Sequence, residues 1–238
     1  MKYLIKKPAT IFFQSIFAMT IMTVNAQAGG ERDPLLAYFL MDNLEVSNQD
    51  NNPTAWAATA WVGKDWHKLY IKSEGESAHG EIESENQLLY STPVEKFWDL
   101  QLGVAYDTTP ESNQTWAAIG IQGLAPYFFE TNALLLASSD GLGLRLESEY
   151  EALFTQKWVL TPSIALSAYS FDNEQMRMGS GLSKLNIGLR LRYEITRKFA
   201  PYIGLTYNQF FGTTADYVKA EGGKEQEASV VAGVRFWF

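Results

Sequence analysis

The last ten residues alternate strictly. Val230, Ala232, Val234, Phe236 and Phe238 fall on one face, and Ser229, Val231, Gly233, Arg235 and Trp237 on the other. A period of two predicts a strand with two different surroundings. The pattern recurs upstream with charge on the second face. Leu185, Ile187, Leu189 and Leu191 alternate with Lys184, Asn186, Arg190 and Arg192; Leu144 and Leu146 alternate with Arg145, Glu147 and Glu149. Leu100, Leu102, Val104 and Tyr106 likewise alternate with Asp99, Gln101, Gly103 and Asp107. A soluble sandwich also alternates, but it rarely stops on an apolar aromatic strand, whose unpaired edge invites aggregation. A membrane barrel removes that edge by pairing its last strand with its first.

Turn chemistry favours the barrel. Glu95-Lys96-Phe97-Trp98, Thr155-Gln156-Lys157-Trp158 and Thr196-Arg197-Lys198-Phe199 are short polar turns, each with a cation and then an aromatic. Longer polar stretches run from Ser47 to Thr54, Thr108 to Gln114, Phe171 to Gly181 and Gly212 to Glu227. Short turns at one end and long loops at the other are expected of periplasmic and extracellular ends. Trp66, Phe97, Trp98, Tyr127, Phe128, Phe129, Phe154, Trp158, Phe199 and Tyr202 gather near the short turns. Tyr106, Trp116, Tyr169 and Phe210 lie near the loops, so two interfacial girdles are predicted. The pattern predicts strands at 38–46, 55–63, 68–76, 81–91, 98–107, 115–124, 127–137, 142–153, 158–170, 183–195, 200–211 and 228–238. The expected fold is therefore all-β: a transmembrane antiparallel β-barrel of about twelve strands, with N and C termini periplasmic. Ten strands is the alternative, because Ala55–Ala60 is rich in small residues and Leu35–Leu44 could hold a helical turn.

The start of the chain reads differently. Lys2, Lys6 and Lys7 precede an apolar stretch from Ile11 to Val24 and a small-x-small end at Ala26-Gln27-Ala28. This predicts a secretory signal at 1–28, leaving 29–238 as the barrel. Cleavage would remove three lysines and no acid, moving the net charge from −8 to −11. No cysteine is present among the 238 residues, so disulfides, thiolate metal sites and Cys nucleophiles are excluded. The acidic balance argues against nucleic acid as a partner. Aromatic residues make up 14% of the chain and hydrophobic ones 46%, yet mean hydropathy is −0.16, as alternation between lipid and a charged lumen would give.

Seven blocks, in order, resemble the outer-membrane copper-resistance B proteins. They are Asp33-Pro34-Leu35-Leu36 with Met41-Asp42-Asn43-Leu44-Glu45, then Leu69-Tyr70-Ile71-Lys72-Ser73-Glu74-Gly75-Glu76, Phe97-Trp98-Asp99-Leu100-Gln101 and Gly123-Leu124-Ala125-Pro126-Tyr127-Phe128-Phe129-Glu130. Gly179-Ser180-Gly181-Leu182-Ser183, Phe199-Ala200-Pro201-Tyr202 and Val234-Arg235-Phe236-Trp237-Phe238 complete the series. The resemblance implies an integral protein of the Gram-negative outer membrane serving copper resistance and homeostasis, with a copper ion as its ligand. Many members carry a Met- and His-rich segment ahead of the barrel; only Gly29 to Arg32 stands there in this chain, so that segment is expected to be absent. Expected partners are outer-membrane lipid, the barrel-assembly machinery, for which Phe236 and Phe238 resemble the terminal signal, and a periplasmic copper protein.

Candidate chemistry is sparse. Met176 and Met178 offer soft thioethers two residues apart, suited to Cu(I), and His79 lies among Glu76 and Glu81. His67 falls in a periplasmic turn. Lumen positions are richer. Glu74, Glu76, Glu81, Glu83, Glu85, Glu147 and Glu149 would attract cations, whereas Lys72, Arg145, Arg190, Arg192 and Arg235 would form salt bridges across the lumen. No Ser–His pairing or phosphate loop suggests an enzyme. The expected function is binding or passage of copper through an acidic lumen. The alternative is a narrow non-specific channel or structural barrel with no metal role.

Overall fold

The computed structural model describes residues 34–49, 52–78 and 80–238. The signal expected at 1–28 and the residues before Pro34 lie outside the described residues. Alternation resolves into β1 (Leu36–Ser47), β2 (Thr54–Gly63), β3 (Lys68–Ala78), β4 (Glu81–Glu95), β5 (Trp98–Thr108) and β6 (Asn113–Ala125). The chain continues through β7 (Phe129–Ala137), β8 (Leu142–Glu149), the short β9 (Ala152–Leu153), β10 (Trp158–Tyr169), β11 (Gly181–Tyr193), β12 (Phe199–Phe210) and β13 (Gln226–Trp237).

Every strand pairs antiparallel with its sequence neighbour, except that β8 and β9 share β10 as one interrupted wall position. The last strand returns to the first, with Leu40 opposite Trp237 and Val46 opposite Ala232. Phe238 N–H donates to the Phe39 carbonyl at 2.9 Å, so the final aromatic is tied into the seam. The sheet is thus a closed barrel of twelve wall positions, and the ten-stranded alternative falls. β1 is a strand throughout, interrupted by a bulge after Met41.

Outward positions carry Ile71, Leu88, Val104, Ile119, Leu135, Leu146, Leu189 and Leu205, all exposed large aliphatics. A continuous exposed apolar band is the surface of a membrane barrel, since water would not tolerate a patch of this extent. No helix among the described residues is long and apolar enough to cross a membrane. The core lies inside the wall instead. Leu89, Ala105, Trp116, Leu134 and Leu136 fill the interior beside β4–β8.

Two sequence expectations need correction. The stretch from Gly212 to Glu227, read as a loop, contains α1 (Gly212–Ala220), whose Thr214 and Ala215 are buried. Its nine residues are too few for hydrophobic periodicity to stand out. Trp116 and Tyr169, assigned to an interfacial girdle, face the interior and are buried there. Of the short-turn group, Trp66, Phe97, Tyr127, Phe128 and Phe154 stand outside and are strongly exposed, whereas Tyr202 faces the interior and is buried.

Gly103 shows how tightly neighbouring strands approach. A Cβ there would lie 2.0 Å from the Leu88 carbonyl oxygen, so any side chain forces β4 and β5 apart. Gly103→Val is expected to cost about 1–3 kcal/mol, as overpacking does. The readout is a lower temperature for loss of the compact, heat-modifiable band; an unchanged temperature would contradict the close approach.

Candidate functional site

The strand period aims alternate side chains of β3, β4 and β5 inward, and the register then aligns acids. Glu74 stands opposite Glu85, Glu76 opposite Glu83, and Glu85 opposite Asp107. Like charges directly across a pair of strands are destabilising, so something must neutralise the stripe. Arg145, on β8, reaches it. Its guanidinium donates to both Asp107 oxygens at 2.6 and 3.3 Å and lies 3.0 Å from Glu85. Trp116 Nε1 donates to the same Asp107 carboxylate at 2.7 Å.

Opposite this cluster a second network tightens the β11–β13–β1 side. Arg190 holds Glu45 through two hydrogen bonds of 2.9 and 2.8 Å, and Tyr202 Oη donates to Glu45 at 2.9 Å. Arg235 pairs with Asp42 at 2.6 Å, and Arg192 with Glu151 at 2.5 Å. Four of the five predicted salt-bridge residues therefore pair. Lys72 does not: no ion pair joins it among the described residues, and its ammonium donates to Gln122 Oε1 at 2.8 Å.

Glu74, Glu76, Glu147 and Glu149 likewise have no ion pair among the described residues, and Glu149 stands opposite another acid, Glu130. Glu74 feels the charges of Glu147 and Glu85 directly, with Lys72 and Arg145 close by. Glu81 and Glu76 are exposed at the long-loop mouth. Among the described residues no three His, Asp or Glu side chains converge closely enough to hold a metal ion. His79 lies outside the described residues. His67 shares a hydrogen bond with Tyr90 Oη at the short-turn end and faces no cluster of acids.

The methionine pair lies within the buried cluster. Met176 and Met178 are both buried and join the interior cluster with Trp116 and Tyr169, while Phe171 packs against it. Trp116 stacks on Tyr169 at 6.0 Å between centroids. The 170–180 segment is folded onto the interior by several ties. Thr109 Oγ1 donates to the Gln175 carbonyl at 2.9 Å, and Gly179 N–H to Thr214 Oγ1 on α1 at 2.8 Å. Arg177, at a left-handed φ of 52°, joins Glu83 on β4 to Glu221 beyond α1. The Ser180 N–H donates to Asp172 at 2.7 Å and holds that carboxyl below its usual range. This staple is present above the ordinary carboxylate range and is lost only as pH falls through the depressed value.

At the short-turn end the interior carries a run of rings. Tyr38 lies 6.0 Å from Trp61 and 5.9 Å from Trp237, and Trp61 lies 6.2 Å from Tyr70. Sequence reading missed the interior amides Gln87, Gln101, Gln122 and Asn132. Their inward parity was visible, but uncharged residues drew no attention beside so many acids.

The geometry is that of a barrel with a packed, charge-lined interior, and relatives bear directly on it. The family described as copper resistance protein B precursor matches residues 35–238. Copper resistance protein B of Escherichia coli is 44% identical over 218 residues, covering 90% of this chain and 74% of that protein. This chain belongs to the copper resistance protein B family. A homolog of copper resistance protein B from Pseudomonas syringae pv. tomato is 40% identical over 205 residues, 85% of this chain and 70% of its own length. Among solved structures, the KdgM porin superposes with a TM-score of 0.52 at 11% identity, covering 85% of this chain and 99% of its own. The NanC porin gives 0.53 at 10% identity, covering 84% and 99%. Those likenesses fix the fold alone. The family carries the functional statement: this is a copper-resistance protein built as an outer-membrane-type barrel.

Proposed function

We propose that this member of the copper resistance protein B family sits in the outer membrane, both termini periplasmic, and binds or passes copper ions through its acidic lumen. One observation carries the reading: Glu74, Glu147, Glu76 and Glu149 face the interior without a salt bridge among the described residues, although four arginines around them each hold a carboxylate. Unpaired acid in a low-dielectric passage concentrates cations. Cu(II) outcompetes other first-row divalent ions at sites without special geometry, so carboxylates alone favour it over Zn(II) or Mn(II). The buried thioethers of Met176 and Met178 are the soft groups available to Cu(I). Lipid contacts the aliphatic band, the terminal Phe236 and Phe238 present the assembly signal, and a periplasmic copper protein is the partner this reading calls for. No catalysis is assigned.

A second reading has its own support. The ion pairing of Arg145, Arg190, Arg192 and Arg235 is what a structural barrel or narrow non-specific channel would also need. Titration of the refolded barrel with Cu(I) and Cu(II) separates the two, beside copper tolerance of a deletion strain. The copper reading expects binding about tenfold tighter than that of an unrelated acidic barrel, reduced in Glu74→Gln/Glu147→Gln, and tolerance lost on deletion. Equal affinity with unchanged tolerance would leave the structural reading.

A further inference from the structure

Lys72 is a buried interior cation with no ion pair among the described residues, and its surroundings are unusual. It projects inward from β3 with 8% exposure. Its ammonium crosses to Gln122 on β6, two strands beyond its own pairing partner. The charges that act on it are Glu147 and Glu74.

Three amide oxygens on the neighbouring strands are acceptors without donors. Gln87 stands directly opposite Lys72 in the β3–β4 pairing, is almost wholly buried, and its Oε1 has no hydrogen-bond partner. Gln101, fully buried, donates Nε2 at 2.9 Å to the same Gln122 oxygen that receives Lys72, and its own Oε1 is likewise orphaned. Asn132 stands opposite both Gln122 and Glu147, and its Oδ1 is orphaned too. Buried acceptors are costly to leave unsatisfied, and three of them with two unpaired carboxylates around one ammonium need an explanation.

We propose that this is an oxygen-lined cation site at mid-lumen, occupied by the Lys72 ammonium as a tethered ion. The site is formed by Glu74, Glu147 and the amide oxygens of Gln87, Gln101, Gln122 and Asn132. Carboxylate and amide oxygens without nitrogen or sulfur are the ligand set of a hard divalent cation, Ca²⁺ in class. A mobile cation takes the site only by displacing the ammonium. The lysine supplies positive charge to the two carboxylates in place of a bound ion. The lumen reading is extended here rather than assumed: it would make this site the step at which a passing cation is admitted.

The test uses Ca²⁺, so that it stands apart from copper. Lys72→Gln removes the tethered charge and should bind Ca²⁺ about tenfold more tightly than the unaltered barrel, a change of about 1.4 kcal/mol. Adding Glu74→Gln should cancel the gain, and Lys72→Arg, which keeps the charge, should show none. In planar bilayers Lys72→Gln should also shift the reversal potential toward cation selectivity. A folded Lys72→Gln barrel with unchanged Ca²⁺ affinity and selectivity would overturn the proposal. If Lys72→Gln does not fold, the unaltered barrel still decides. Ca²⁺ at millimolar levels should raise acetylation of the Lys72 amine several-fold over other lysines, and labelling indifferent to Ca²⁺ would overturn it. A barrel that binds no copper but gains Ca²⁺ in Lys72→Gln would sink the copper reading alone.

Discussion

Arg145→Ala should be among the most damaging single substitutions in this barrel, at about 3–5 kcal/mol of stability, because it leaves buried charge without a counter-ion. The side chains of Arg145 and Asp107 are each only 4% exposed. Asp107 would keep Trp116 Nε1 as its donor, Glu85 would lose its 3.0 Å partner, and Glu74 would lose the nearby positive charge that offsets Glu147. The loss should appear in urea unfolding of the barrel in detergent and as a lower temperature for the heat-modified band. Two controls identify the cause. Arg145→Lys keeps the charge but not the two-pronged geometry and should lose less. Arg145→Met with Asp107→Asn removes charge from both sides and should recover much of the stability, since a neutral pair escapes the desolvation cost. A loss below about 1 kcal/mol for Arg145→Ala would put the pair in the class of exposed salt bridges and contradict its burial.

Most of the wall was legible from the sequence because a barrel strand reports its two environments residue by residue. The predicted span 98–107 became Trp98–Thr108, and 158–170 became Trp158–Tyr169, with lipid-facing Leu102 and Val104 against inward Gln101 and Asp107. The interior was legible only in part, and the reason is physical. Parity tells which residues face inward, but not which of them meet across the lumen. That Arg145 would take Asp107, or Arg190 would take Glu45 from a strand 145 positions away, depends on strand tilt and closure. The same blind spot hid Lys72. Its charge suggested an ion pair, whereas the strand register gave it amides. Met176 and Met178 were visible as a pair, but no local pattern announces that a loop folds back onto the interior. That turn is enforced by Arg177, Thr109 and Thr214, which lie on different elements.

Trp116→Ala should approach the same magnitude by a different route, about 3–5 kcal/mol from the cavity left by a large buried ring. Trp116 is 1% exposed and is the floor on which the folded-back loop rests. It stacks on Tyr169 at 6.0 Å, meets Phe171 at 6.0 Å, and shares its cluster with Met176 and Met178. Its Nε1 also gives Asp107 a donor, so the substitution loses packing and a charge-assisted hydrogen bond together. Trp116→Phe separates these contributions: most apolar contact survives, and the cost should fall to about 1–3 kcal/mol for the missing donor. The loop gives an independent readout. With Trp116→Ala the thioethers lose their contact surface, and trypsin should cut after Arg177 faster than in the unaltered barrel, before the wall unfolds. Cleavage at an unchanged rate would show that Arg177 and Thr214 hold the loop without the aromatic floor. Because Trp116 and Arg145 both act on Asp107, their combined substitution should cost less than the two separate losses added together.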